Sequence, residues 1–156
     1  DIAGPELNYL PSMYKDSFLK VKNEGINITI HAGEGDGVHS IQEALDNGAK
    51  RIGHGVRIIE DISDDNKVGP TADHILQNNI PLEVCITSNL HTNMYKNPQD
   101  HPILRLHNLG FNISLNTDNR LMSNTSIDNE LNVAKAAGIE NPTSLLKYSA
   151  SDSFLN

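Results

Sequence analysis

The chain has little cysteine and little positive charge, and each shortage excludes a class of protein. Cys85 is the single cysteine among 156 residues, which excludes an intramolecular disulfide and fits a reducing compartment such as the cytoplasm. Twelve Lys and Arg face 20 Asp and Glu, and the net charge of −8 argues against nucleic acid as a partner. Long apolar runs are missing too, so we expect no membrane span.

The start of the chain also lacks familiar features. Residue 1 is Asp rather than Met, and no signal-peptide pattern is visible. Asp1-Ile2-Ala3-Gly4 is typical of the end of a strand, so we expect the C-terminal part of a longer protein. Hydrophobic residues make up 37% of the chain, enough for one core. We therefore interpret residues 1–156 as a single partial domain.

Strand and helix patterns alternate along the chain. Four apolar, often β-branched segments are predicted strands: Asn27–Ile30, Arg51–Gly53, Leu82–Ile86 and Phe111–Leu115. Segments with helical apolar spacing or helix-ending glycines are predicted helices: Ser40–Asn47, Thr71–Asn78, Ile103–Asn108, Ser126–Ala137 and Thr143–Ala150. This β-α alternation predicts a parallel sheet with right-handed crossovers.

Each of the four apolar segments ends in a polar cluster. In chain order, these clusters are His31-Ala32-Gly33-Glu34, Gly53-His54-Gly55, Thr87-Ser88-Asn89 and Asn116-Thr117-Asp118-Asn119. A parallel α/β barrel brings the C-terminal ends of its strands to one face, where its active site lies. The clusters would then meet there, with His31, His54 and Asp118 suited to a metal site and Glu34 to proton transfer.

Taken singly, these residues have simpler explanations. His31 could be a packed imidazole, His54 part of a tight turn, and Asp118 a helix N-cap. Ser88, Asn89 and His91 are interpreted as pocket-lining or turn residues, and Cys85 as a core residue. The remaining histidines are predicted at the surface: His39, His74, His101 and His107. The polar stretch His91–Pro102 is the longest irregular segment, and could cover a pocket.

Together and in this order, the motifs resemble a known family. Ile30-His31-Ala32-Gly33-Glu34, Arg51-Ile52-Gly53-His54-Gly55 and Ser114-Leu115-Asn116-Thr117-Asp118 are similar to motifs in the C-terminal half of bacterial adenosine deaminases. These belong to the adenosine/AMP deaminase branch of the metal-dependent hydrolases. The resemblance implies the C-terminal half of a (β/α)8 TIM barrel, with about four parallel strands and alternating helices.

The resemblance also implies roles for individual residues. His31 and Asp118 would be two ligands of one zinc ion, and Glu34 would protonate purine N1. His54 would orient a zinc-activated hydroxide. The backbone N–H of Gly4 would bind purine N3. Many family members have Asp-Asp where this chain has Asp118-Asn119; the Asn119 amide would donate to purine N7 without titrating.

The implied reaction is hydrolytic deamination of adenosine, and of 2'-deoxyadenosine, to the inosine product and ammonia. The sequence has no Pro-Cys-x-x-Cys motif, which excludes the other zinc-deaminase architecture. It also has no His-x-His, the motif from which the family takes two further zinc ligands. We therefore expect this chain alone to be inactive, and to bind either the missing N-terminal half-barrel or other copies of itself. Deamination of adenine or AMP, and a noncatalytic half-barrel, remain alternatives.

Overall fold

The computed structural model describes residues 1–146 together with Ser153 and Phe154. Its four strands are β1 (Ile28–Ala32), β2 (Ala49–His54), β3 (Leu82–Val84) and β4 (Ile113–Leu115). Within these residues the α-helices are α1 (Lys15–Asn23), α2 (Val38–Asp46), α3 (Pro70–Gln77), α4 (Ile86–His91), α5 (Ile103–Asn108) and α6 (Ile127–Ala136). Short 3-10 helices span Pro11–Tyr14, Val56–Asp61, Pro98–Asp100 and Pro142–Leu146.

The strands form one parallel sheet in chain order, β1-β2-β3-β4. In the register between β1 and β2, His31 lies opposite Gly53 and Ala32 opposite His54. A single parallel bridge from Ile2 to Ile30 extends the sheet on the other side of β1. The C-terminal ends of all four strands therefore lie along one edge.

The core lies between the sheet and its helices. Ile30 of β1, Ile52 of β2 and Leu82 of β3 are fully buried in three neighbouring strands. Ile41 of α2 and Ile75 of α3 are at most 1% exposed and pack into the same cluster. Polar residues alternate with these apolar ones along the strands, as Thr29 does in β1, Glu83 in β3 and Ser114 in β4. No helix in the described part of the chain is both long and apolar enough to cross a membrane.

The alternation of strands and helices predicted from the sequence is confirmed. The principal correction falls on Leu82–Ile86, because β3 ends at Val84 and Ile86 begins α4. Cys85, buried as predicted, is the residue between them. An apolar run that passes from a buried strand into a buried helix has no change of pattern at the boundary. Helix α4 therefore went unpredicted, and the irregular segment begins only after His91.

Two further differences lie near the ends of the chain. Helix α1 had no counterpart among the predicted elements. The predicted helix Thr143–Ala150 is represented by the 3-10 helix Pro142–Leu146, and residues 147–150 lie outside the described part. Pro142 begins this turn, and Leu145 is its buried apolar contact with the core.

The described structure leaves apolar side chains and a strand edge uncovered. Leu121 is 89% exposed and Met122 77%, and further large exposed side chains lie near the N-terminus: Leu7, Tyr9, Met13, Leu19 and Ile26. Among the described residues, β4 pairs with β3 on one side alone. Exposed strand edges and apolar patches of this kind favour association.

We predict that the chain of residues 1–156, produced alone, self-associates at micromolar concentration. Sedimentation velocity measures this directly. Leu121→Lys combined with Met122→Lys should weaken association, because two cations replace an exposed apolar pair. A stable monomer that does not aggregate would contradict the prediction.

Candidate active site

The four strand ends bring the predicted site residues to one edge of the sheet. His31 is the fourth residue of β1, and His54 is the last residue of β2. Asp118 follows β4, and its Oδ2 atom accepts a hydrogen bond from Ser88 Oγ on α4 at 2.7 Å. His31, His54 and Asp118 line one cavity of about 150 Å³. The expected convergence of distant segments is present.

A glycine makes the packing of the two imidazoles possible. The ring centroids of His31 and His54 lie 5.3 Å apart in an edge-to-face arrangement. Gly53 lies opposite His31 in the sheet, and a Cβ atom there would be 2.8 Å from the His31 ring. Because that distance is shorter than a van der Waals contact, the His31 ring can lie across β2 only where no side chain is present.

The backbone is strained at two of the predicted site residues. His54 has φ of 62° and Asp118 has φ of 54°, in the left-handed region. In the described chain, the other non-glycine residues with positive φ are asparagines, apart from Phe154. Such conformations cost on the order of 1–3 kcal/mol and concentrate at functional sites. The strain is thus a second, independent indication of the site.

The contacts of His31 and Asp118 fit a pair of metal ligands. His31 Nδ1 lies 3.0 Å from the Asp1 carboxylate, which leaves Nε2 available. Ser88 orients one oxygen of Asp118. A ligating histidine ordinarily donates its second N–H to a carboxylate in this way, and ligating carboxylates are likewise hydrogen-bonded. Among the described residues no group of three or more His, Cys, Asp or Glu side chains could hold a metal, so these two would form part of a site.

Glu34 follows β1 on a loop that is fixed by another carboxylate, Glu6. The Glu6 side chain accepts hydrogen bonds from the backbone N–H groups of Gly33 at 2.5 Å, Glu34 at 2.9 Å and Gly35 at 2.6 Å. This role of Glu6 is not predicted from the sequence. The available signal was a glycine-rich loop, whose free N–H groups require an acceptor.

Glu34, His54 and Asn89 form one hydrogen-bonded group. Glu34 Oε2 is 3.6 Å from His54 Nε2, and Asn89 Nδ2 is 3.3 Å from Glu34 Oε1 and 3.1 Å from His54 Nδ1. Burial lowers the pKa of His54 from its ordinary value, and the Glu34 carboxylate opposes this effect. Asn89 is fully buried and is the centre of this group.

The prediction that His101 lies at the surface is wrong. His101 is 3% exposed, and its Nε2 atom lies 3.2 Å from Asn89 Oδ1. Its ring packs edge-to-face against Tyr95 at 4.9 Å between centroids, and burial lowers the pKa of His101 to about 3. The polar residues around it suggested exposure, but the segment folds back over the site. The other histidines predicted at the surface are exposed: His39, His74 and His107.

A larger pocket adjoins this group. It has a volume of about 460 Å³, and Gly4, Glu34 and Tyr95 are among its lining residues. That volume is typical of a small-molecule site. At its rim, Arg57 makes two hydrogen bonds to the Glu60 carboxylate, at 2.7 and 3.2 Å. The pocket thus joins Gly4 and Glu34, two residues assigned to purine contacts from the sequence.

Asn119 lies apart from this pocket, exposed, on the turn that follows Asp118. Its Oδ1 atom accepts hydrogen bonds from the N–H groups of Leu121 at 3.1 Å and Met122 at 3.0 Å. An amide whose oxygen is used by the backbone has N–H groups left to offer. The contact of Asn119 with purine N7 therefore stays a prediction, because Asn119 is not among the residues that line this pocket.

Glu130 of α6 connects two of the segments that carry the site. Its carboxylate is fully buried and accepts hydrogen bonds from the Thr87 N–H at 3.2 Å and from Thr125 Oγ1 at 2.7 Å. Thr87 precedes Ser88 on α4, and Thr125 ends the loop that begins after β4. The sequence offered no signal for this carboxylate, which lies on the inner side of a predicted amphipathic helix.

The fold and site together define a class: part of a (β/α)8 barrel with its site at the strand ends. A profile of the adenosine deaminase family matches residues 1–149. The chain belongs to the adenosine deaminase family.

Individual relatives agree with this assignment. Adenosine deaminase 1 of Streptomyces coelicolor is 47% identical over 135 residues, covering 83% of this chain and 34% of the relative. An adenosine deaminase of Mycolicibacterium vanbaalenii is 45% identical over 136 residues, covering 84% of this chain and 38% of the relative. The chain thus spans little more than a third of the length of these relatives.

Solved structures match the fold over most of this chain. An adenine deaminase from Arthrobacter aurescens superposes with a TM-score of 0.66 at 24% identity, covering 94% of this chain and 49% of the other. An N6-methyl-AMP deaminase from Arabidopsis thaliana superposes with a TM-score of 0.62 at 28% identity, covering 87% and 35%. These matches confirm the predicted partial barrel.

We predict that Glu6→Gln loosens the loop that carries Glu34. A carboxamide offers one oxygen to three backbone N–H groups, so the free energy of unfolding should fall by about 1–3 kcal/mol. Amide hydrogen exchange at Gly33, Glu34 and Gly35 should accelerate. Asp36→Asn is the matched control, because Asp36 accepts a hydrogen bond from the neighbouring Gly37 N–H. Equal exchange rates in Glu6→Gln and wild type would refute the anchoring role.

We predict that His101 makes the protein less stable in mild acid. Its pKa is about 3 in the folded state against 6.5 ordinarily, so between these values the unfolded chain binds an additional proton. Between pH 6.5 and pH 5 this residue should lower the free energy of unfolding by about 2 kcal/mol. Urea unfolding measures the slope, which His101→Gln should flatten. His107→Gln, an exposed change, should leave it steep.

Proposed function

We propose that residues 1–156 form part of a hydrolytic purine deaminase that converts adenosine, and 2'-deoxyadenosine, to the inosine product and ammonia. One observation carries the proposal. Glu34 lies on the wall of the 460 Å³ pocket and also 3.6 Å from His54, which lines the cavity shared with His31 and Asp118. The residue proposed as proton donor is thus adjacent to the side chains proposed as metal ligands.

In this proposal the purine is held by its ring nitrogens. The Gly4 N–H donates to N3 and Glu34 delivers a proton to N1. The contact of the Asn119 amide with N7 rests on the sequence resemblance alone, because Asn119 does not line this pocket. Protonation of N1 makes C6 electrophilic, and hydroxide from water adds there. The proton of the new C6 hydroxyl passes to the amino group, the C6–N bond breaks to release ammonia, and the C6 carbonyl and N1–H of inosine remain. His54 stabilises the charge that develops beside it. Glu34 suits this task because the Asn89 amide and the Glu6-anchored loop hold its position.

The donor set at the strand ends fits zinc in part. His31 and Asp118 would supply two ligands, and the remaining ligands would come from outside the described residues. Zinc bound there would lower the pKa of a water molecule towards neutrality and so supply the nucleophile. Since two ligands rarely suffice for a stable zinc site, we expect the chain of residues 1–156 alone to be inactive.

The charges at the pocket favour a nucleoside over a nucleotide. Among the described residues lining the pocket, the charged ones are three carboxylates and Arg57, which is bound in a bidentate pair to Glu60. A phosphate group would need a cation that is free to meet it. AMP is therefore the weaker candidate, and adenine is an alternative substrate. A noncatalytic half-barrel is the remaining alternative.

We predict that Glu34→Gln in the full-length protein lowers kcat for adenosine by about 10²–10⁴-fold, the usual contribution of one acid–base group. KM should change little, because the amide retains the shape of the side chain. Ultraviolet absorbance follows the conversion of adenosine to inosine, with adenine and AMP tested in parallel. Glu24→Gln, the same change at an exposed position, is the control. Near wild-type turnover by Glu34→Gln would refute the proposed mechanism.

A further inference from the structure

The side-chain amide of Asn89 joins two buried histidines in a chain of hydrogen bonds. Asn89 is fully buried, and His54 and His101 are 2% and 3% exposed. Asn89 Nδ2 lies 3.1 Å from His54 Nδ1, and Asn89 Oδ1 lies 3.2 Å from His101 Nε2. Because a neutral imidazole has one donor and one acceptor nitrogen, the direction of each bond determines a tautomer.

The contacts of His101 determine the direction of its hydrogen bond with Asn89. The backbone N–H of Ile103 donates to His101 Nδ1 at 3.2 Å, within a buried environment. A backbone N–H has no acceptor capacity, so His101 Nδ1 must carry the lone pair. Since burial keeps the pKa of His101 near 3, the ring is neutral at physiological pH and its proton is on Nε2. His101 therefore donates to Asn89 Oδ1.

The contacts of Asn89 Nδ2 give the same orientation of the Asn89 amide independently. Asn89 Nδ2 also lies 3.3 Å from Glu34 Oε1 and 3.6 Å from Met94 Sδ. A carboxylate and a thioether both accept hydrogen bonds, so the NH₂ end of the amide belongs on this side. Both ends therefore present an Asn89 N–H donor to His54 Nδ1.

We propose that Asn89 and His101 are positioning residues that fix His54 as the Nε2–H tautomer. With Nδ1 occupied as an acceptor, the single proton of the neutral ring must lie on Nε2, the nitrogen 3.6 Å from Glu34 Oε2. The catalytic consequence rests on the proposed deaminase function. His54 offers the reacting groups an N–H donor rather than a lone pair, so it stabilises negative charge and does not remove a proton in the resting state.

A purely structural role for His101 makes a different prediction. The ring packs against Tyr95 and its Nδ1 accepts a hydrogen bond at the start of α5. If packing were its whole role, changes at His101 would alter stability while the tautomer of His54 stayed the same. The tautomer of His54 is therefore the decisive measurement.

The test uses the full-length protein labelled with ¹⁵N-histidine, without substrate. Long-range ¹H–¹⁵N spectra distinguish protonated from unprotonated ring nitrogens, and the His54 signals are assigned by their loss in His54→Gln. We expect a protonated Nε2 and an unprotonated Nδ1. A protonated Nδ1 in the wild-type protein would overturn the proposal.

Two substitutions at His101 form a matched pair. His101→Gln keeps a donor towards Asn89 Oδ1, so His54 should remain the Nε2–H tautomer and kcat should stay within a few-fold of wild type. His101→Leu removes that donor and leaves Glu34 and Met94 alone to orient the amide, so a measurable Nδ1–H population of His54 should appear and kcat should fall by a few-fold to about tenfold. Thermal unfolding verifies that both variants are folded. An unchanged His54 tautomer in a folded His101→Leu protein would show that packing is the whole role.

Asn89→Asp reverses one bond while keeping the shape of the side chain. A carboxylate accepts at both oxygens, so His54 should move its proton to Nδ1. We expect kcat to fall by about 10²–10³-fold, the usual effect of losing one hydrogen-bond donor to a developing charge, with a smaller change in KM. A switched tautomer with unchanged kcat would overturn the catalytic consequence. Because the spectra need no substrate, a wild-type protein that does not deaminate adenosine would refute the proposed function and leave the tautomer result standing.

Discussion

The register between β1 and β2 determines where the chemically capable side chains of the site can lie. It sets His31 opposite Gly53 and Ala32 opposite His54, so that one imidazole crosses a glycine and meets the next. A shift of one residue would turn these side chains to the other face of the sheet. β3 and β4 continue the same parallel order, so Asp118 reaches the edge that carries the two histidines. The site is therefore a property of the sheet more than of any single loop.

Three carboxylates around this edge take no part in the proposed reaction and instead hold the site in place. Asp1 binds the His31 ring, Glu6 anchors the loop of Glu34, and Glu130 joins α4 to the loop after β4. Each accepts hydrogen bonds from groups that would otherwise be unsatisfied, and hydrogen bonds to charged acceptors are among the stronger ones in proteins. Some of the acidic side chains of this chain thus serve to hold its site in place.

The sequence was sufficient for the parallel fold and for the segments that meet at the sheet edge. Helix periodicity and strand composition are local properties, and the motifs at the strand ends are too. His101 shows what such properties miss. His101 is buried because a polar segment folds back and brings its ring against Tyr95 and Asn89. The residues next to His101 in the sequence give no indication of these contacts. Glu130 is similar, because a buried charge becomes plausible only when its partners on another element are known.

The left-handed backbone at Asp118 has a consequence for engineering. Asp118 is exposed at φ of 54°, a conformation that asparagine adopts readily, and an asparagine Oδ1 there would still accept the hydrogen bond from Ser88. Variants screened for heat resistance alone would therefore tend to accumulate this replacement and lose the carboxylate. Ranking a library of variants by melting temperature alone would thus select against the site. A screen of this protein should therefore measure thermal stability and turnover together.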